Sequence, residues 1–118
     1  MSHSTSRVDI IDETYLRAAP AVVRGWFDDA GRLDRLWPHL RRTLVRDRGP
    51  KGLRWRVDGA VVGEMEVWIE PYRDGVILHH YVRGSRARGA PADVAVRHQL
   101  RWKRAVHALK DVLEEGTL

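Results

Sequence analysis

From Leu53 to Arg83 apolar and polar residues alternate, and from Ala95 to Leu113 they recur at steps of three and four. A period of two belongs to a strand with one buried face, and a period near 3.6 to a helix with one buried stripe. The first pattern predicts strands over Thr43–Asp47, Leu53–Val57, Glu64–Glu70 and Val76–Arg83, and a similar mix of β-branched and aromatic residues predicts another over Val8–Leu16. The joints "DRGPKG", "VDGAVVG" and "YRDGV" carry Gly, Pro and Asp-Gly turn chemistry. Connections this short allow only hairpins, so the sheet is expected to be an antiparallel meander. Pro20 suits a helical first turn, with Val22, Val23, Trp26 and Phe27 at helical spacing on one side and Asp28–Gly31 ending it. A second short helix, Arg32–Trp37, must stop before Pro38. After a basic loop, Gly84–Asp93, the residues Ala95, His98, Trp102, Ala105, Val106, Leu109, Val112 and Leu113 define one long amphipathic helix ending near Gly116. The expected class is α+β: an antiparallel sheet against a long C-terminal helix, with two short helices after the first strand.

Parity assigns the faces. Leu53, Trp55 and Val57, then Met65, Val67 and Ile69, then Val76, Leu78, His80 and Val82 form one greasy side, and the long helix is the element able to cover it. Of the adjacent pair His79 and His80, the second therefore points inward and the first outward beside Tyr81. Arg54 and Arg56 are expected to meet Glu64 and Glu66 on the outer face. Asp12 and Glu13 lie on opposite faces, and the pattern leaves open which of them points in.

A strand, two short helices after an "AAP" step, an "LWP" break, a meander, and a long helix carrying "WKRAVHALKDVLEE" resemble the START-like helix-grip superfamily. Within it, the chain is similar to small bacterial polyketide cyclase/dehydrase-type proteins. The resemblance spans Val8 to Glu115 and lies in element order rather than in a catalytic signature. It implies a sheet wrapped around the last helix, with a cavity between them for an apolar or aromatic molecule. Such folds usually carry six or seven strands and this sequence offers about five, which argues for a smaller sheet and a chamber that is reduced or absent.

Length and composition narrow the chemistry. A chain of 118 residues suits one domain, expected over residues 8–116 behind a loose tail at 1–7. The absence of cysteine excludes disulfides and thiolate chemistry. No apolar run is as long as a signal-peptide core or a membrane span, so a cytoplasmic location is expected. The six histidines show no zinc-type spacing, and neither a metal nor another cofactor is expected. Ser85 lacks a nucleophile elbow, and no phosphate-cradling glycine loop is present.

What remains is binding and proton transfer inside a pocket. His80, with His98 one turn before Trp102 on the helix stripe, supplies the candidate catalytic imidazoles. Each also has a plain reading as a hydrogen-bonded core histidine. Trp55, Met65, Val67, Leu78 and Trp102 are the expected lining, with Trp55 and Trp102 facing each other and Trp26 and Trp37 capping one end. Trp68, His79 and Tyr81 form a candidate outer patch for a homodimer. The preferred reading is a binder of a polyketide-, lipid- or quinone-like molecule; whether it also catalyses cyclisation or dehydration stays open. The alternative draws on a net charge of +5 and on Arg83–Lys110, where eight Arg or Lys face the single acid Asp93. Such a segment suits RNA, a ribosome or an anionic surface.

Overall fold

A computed structural model describes residues 6–115. β1 (Arg7–Leu16) is followed by α1 (Pro20–Trp26) and α2 (Ala30–Leu36). β2 (Leu40–Asp47), β3 (Gly52–Gly59), β4 (Val61–Tyr72) and β5 (Gly75–Arg86) build the meander, and α3 (Val94–Glu114) is the last described element, the expected end near Gly116 lying outside the described residues. The single sheet has the order β1-β5-β4-β3-β2, antiparallel at every joint. Pattern and turn chemistry give the meander; that β1 returns to pair with β5 is a long-range choice that local alternation does not encode.

The helix boundaries follow local chemistry. Pro20 opens α1, where its missing N–H costs nothing. Asp29 caps α2 by accepting the backbone N–H of Arg32 at 2.9 Å. The strands run longer than their apolar pattern suggests. β2 begins at Leu40 because Arg41 and Arg42 take ladder positions opposite Asp58 and Val57, and their charges hide the strand from a hydrophobicity reading. β5 continues through Ser85 and Arg86, which were expected in the loop. Arg7, expected in the tail, is the first residue of β1; residues 1–5 lie outside the described residues.

Two glycines shape the far end of the β4–β5 hairpin. Gly63 and Gly84 are opposite one another, and a Cβ on Gly63 would sit 2.1 Å from the Arg83 carbonyl oxygen, one on Gly84 2.1 Å from that of Val62. Only glycine lets these two strands approach so closely.

The inward parity is as expected: Leu53, Trp55, Val57, Met65, Val67, Ile69, Val76, Leu78, His80 and Val82 are all buried. α3 lies over the β1–β5 side and contributes Val94, His98, Trp102, Val106 and Leu109 to the core, while α1 and α2 bring Val23, Phe27, Leu33, Leu36 and Trp37 over the other side. Val112, expected on the stripe, is a third exposed.

Candidate functional site

The interior between sheet and α3 is built from aromatic rings. His80 reaches in from β5 and His98 from α3, and their Nε2 atoms meet at 2.8 Å. Their planes differ by 11°, so the two imidazoles form one flat, hydrogen-bonded unit. Trp102 stacks on His80 at 4.2 Å between centroids, and Trp37 lies over both histidines at 5.5 and 6.3 Å. His39, just beyond the Pro38 break, extends the line outward with its Nε2 at 2.9 Å from His98 Nδ1.

The direction of these hydrogen bonds follows from their inner end. His80 Nδ1 lies 3.0 Å from the backbone carbonyl oxygen of Glu66, which only accepts. Nδ1 of His80 therefore carries the proton and its Nε2 accepts. His98 must then donate from Nε2 and accept at Nδ1, and His39 donates from Nε2. Both ring nitrogens of His80 and of His98 are thereby paired while the rings stay neutral. Burial lowers the His80 pKa to about 4 against the opposing pull of the Glu66 carbonyl and Asp12. Burial first, then the neighbouring His80, His39 and Arg101, lowers His98 to about 2. His39 is lowered by burial and by Arg101.

Asp12 settles the question left open at β1. It is the inward carboxylate, opposite His80 across the β1–β5 ladder, and accepts Trp102 Nε1–H at 2.9 Å, Thr14 Oγ1–H at 3.1 Å and the Lys103 ammonium at 2.5 Å. Burial alone would raise its carboxyl, but the Lys103 and Trp102 contacts outweigh that and hold it low. Asp12 thus fixes the Trp102 indole over the imidazoles.

The lining residues fall into different places. Trp55 and Trp102 do not face each other across open space, because Trp37 lies between them, 5.4 Å from Trp55 and 6.1 Å from Trp102. Trp37 is 1% exposed, a filler of the interior rather than a cap. Met65, Val67 and Leu78 are fully buried beside it. Trp26 lies at the outer surface between α2 and α3, with the Arg32 guanidinium 4.9 Å over its ring. With His80 at 0% and His98 at 2% exposure, neither candidate catalytic ring meets solvent.

His79 points to the outer face as its parity requires, yet it is buried there. Trp68 stacks on it at 4.2 Å, and its two ring nitrogens sit 3.0 Å from Glu13 and 2.9 Å from Glu70. Only the half-buried Trp68 and Tyr81 of that trio offer surface to another chain. Beneath them Arg54 meets Glu66 at 3.4 Å, as expected, and Arg48 joins the same carboxylate.

An open space does exist at the other end of the ring stack. A groove of about 360 Å³ runs between α1–α2 and β2–β3, with Phe27, Leu33, Leu44, Leu53 and Trp55 as its apolar walls and Arg24, Arg42, Asp28 and Asp47 at its rim. Both guanidiniums are mostly covered, Arg24 pairing with Asp28 and Asp47 and Arg42 with Asp34. Among the described residues, two buried side-chain donors lack a hydrogen-bond partner: Arg24 Nε in this groove, and the indole N–H of Trp37, whose ring packs edge-on to Trp55. A buried N–H without an acceptor costs about 1–3 kcal/mol, which makes such atoms informative.

Sequence spacing did not single out His39, Arg24 or Arg42. His39 and His98 are 59 residues apart, and the arginines were lost among many others. Among the described residues no three His, Cys, Asp or Glu side chains are grouped to hold a metal ion. Among the described residues no helix is long and apolar enough to cross a membrane.

No family model matches the chain, and no curated protein matches it. Solved structures do. The Aha1 dimer from Colwellia psychrerythraea is similar over 91% of this chain and 96% of its own, with a TM-score of 0.67 and 15% identity. The protein Mll3558 from Rhizobium loti covers 88% and 96%, with a TM-score of 0.64 and 12% identity. DR_A0006 from Deinococcus radiodurans covers 82% and 95%, with a TM-score of 0.60 and 16% identity. At these identities the likeness establishes a shared fold, the helix-grip arrangement of sheet and C-terminal helix.

Proposed function

We propose that this protein binds a flat, largely apolar small molecule bearing carbonyl or carboxylate oxygens, of the polyketide, quinone or lipid kind, in the groove between α1–α2 and β2–β3. The observation that carries this reading is the pairing of an apolar trough with an unmet donor at its rim, Arg24 Nε. A ligand oxygen would satisfy what the protein itself leaves unsatisfied, while Phe27, Leu53 and Trp55 supply the flat apolar contact. The groove is open and small, so the ligand is expected to be partly exposed.

Met65, Val67, Leu78 and Trp102 enter this reading as the second line of the site. They would touch a ligand only after Trp37 had swung out. The same displacement is required before His80 or His98 can act on a substrate, so binding is the primary function proposed and proton transfer is secondary to it.

Isothermal titration calorimetry with anthraquinone-2-carboxylate tests the reading. Saturable binding is expected, weakened at least tenfold by Leu44→Arg, since Leu44 is a half-exposed groove wall whose replacement spares the core. Absence of saturable heat with this probe, or equal affinity in Leu44→Arg, would contradict it.

A further inference from the structure

The basic stretch that stands out in sequence does not act as one surface. Arg97 is tied to Asp93 at 3.0 Å, Lys103 to Asp12, and Arg86 to the Ala90 carbonyl, while Arg83 turns to the sheet's outer face near Asp9. Arg101 and Arg104, three residues apart on α3, instead face Arg32 and Arg35, three apart on α2. Residues at that spacing share one helical face, so two like-charged pairs converge on a concave site of about 400 Å³ floored by Trp26, Leu36 and Ala105. No carboxylate lines it. Among the described residues none of the four guanidiniums is in an ion pair, although Asp29, capping α2, lies close enough to be stabilised by Arg32 and Arg35.

Four cations, with Asp29 beside two of them, leave a net positive site that a polyanion would neutralise. The chemistry of the floor identifies which one. Arg32 has its guanidinium carbon 4.9 Å from the centroid of the Trp26 ring and donates to the Trp26 carbonyl oxygen at 2.8 Å, so guanidinium and indole are held together as one cation–π pair. Nucleobases stack on both kinds of plane. A bilayer, by contrast, is met by protruding apolar side chains; here Leu36 is buried in the floor, and the exposed Val96 and Leu100 of α3 lie outside the groove lining.

We propose that the α2–α3 groove binds single-stranded RNA, with backbone phosphates on Arg32, Arg35, Arg101 and Arg104 and a base stacked over Trp26 and Arg32. The site uses the opposite flank of α2 from the small-molecule groove, and it stands or falls independently of that reading.

Fluorescence anisotropy with a labelled 12-nucleotide oligouridylate tests it. Four phosphate contacts on a single strand give a log–log salt slope of about −3, so affinity is expected to fall by roughly 50-fold between 50 and 200 mM salt. Arg101→Glu with Arg104→Glu should weaken binding by more than tenfold, whereas Arg88→Glu with Arg97→Glu, an equal change in net charge off the groove, should change it by less than threefold. Trp26→Leu should weaken it about tenfold through lost stacking, with circular dichroism confirming the fold. Equal losses in the two double variants, salt-independent binding or none, or binding only to phosphatidylglycerol vesicles would each overturn the proposal.

Discussion

A buried histidine that must stay neutral links stability to pH. In the unfolded chain His80 and His98 take up protons near 6.5, but folded they do so only near pH 4 and pH 2. Below pH 6.5 the unfolded chain therefore binds protons that the folded chain refuses, so stability is complete above about pH 7 and is lost as the pH falls towards 4. Each imidazole contributes a slope of about 1.4 kcal/mol per pH unit in that window. The melting temperature is expected to be lower at pH 5 than at pH 7 by at least about 8 °C. Nitrogen-15 spectra should show His80 as the Nδ1–H tautomer and His98 as the Nε2–H tautomer at pH 7. A flat melting profile between pH 7 and 5, or either imidazole titrating near 6.5, would contradict the assigned hydrogen-bond chain. The sequence carried part of this: alternation placed His80 inward and the helical period placed His98 on the same side. That they touch, and that His39 completes the line, depends on packing between segments far apart in the chain.

At the scale of elements, the sequence was most legible where one face is buried and the other wet. β3, β4, β5 and α3 all show such a contrast. It was least legible at β2, whose edge position leaves Leu44 and Val45 about half exposed and breaks the apolar rhythm. A bulge between Leu44 and Arg46 interrupts the ladder there, as is common on edge strands that resist further pairing. The β4–β5 hairpin offers the sharper test. Gly84→Ala would drive a methyl group into the Val62 carbonyl, and unfolding in denaturant should show a loss of at least about 2 kcal/mol. A change below half of that would mean that the strands can separate at little cost. Asp12 ties β1 to α3 through Trp102 and Lys103, which is why an acid sits on the inward face of β1 beside Val8, Ile10 and Leu16; the sequence showed the acid but not its partners.

For the molecule as a whole, the sheet and α3 close on rings instead of on an empty chamber. Trp37, expected as a lid, takes the space that the fold resemblance reserves for a ligand, and five strands leave little room beside it. Two concave sites are then left on the flanks of α2: an apolar trough with one unmet donor on one side and a cluster of arginines on the other. Neither was legible from the sequence, because each draws its residues from segments whose meeting depends on how the short helices dock. Net charge pointed to an anionic partner, but the cluster joins residues 32 and 35 to 101 and 104, a pairing that no linear charge run contains.

On the proposed reading, ligand enters from the α1–α2 side and rests against Trp55. Amide and side-chain chemical-shift mapping during titration with anthraquinone-2-carboxylate examines it directly. Saturable shifts concentrated at Phe27, Leu33, Leu44, Leu53, Trp55 and Arg24 Nε–H are the expected result; saturable shifts confined to the outer face around Trp68 and Tyr81, or none at all, would contradict it.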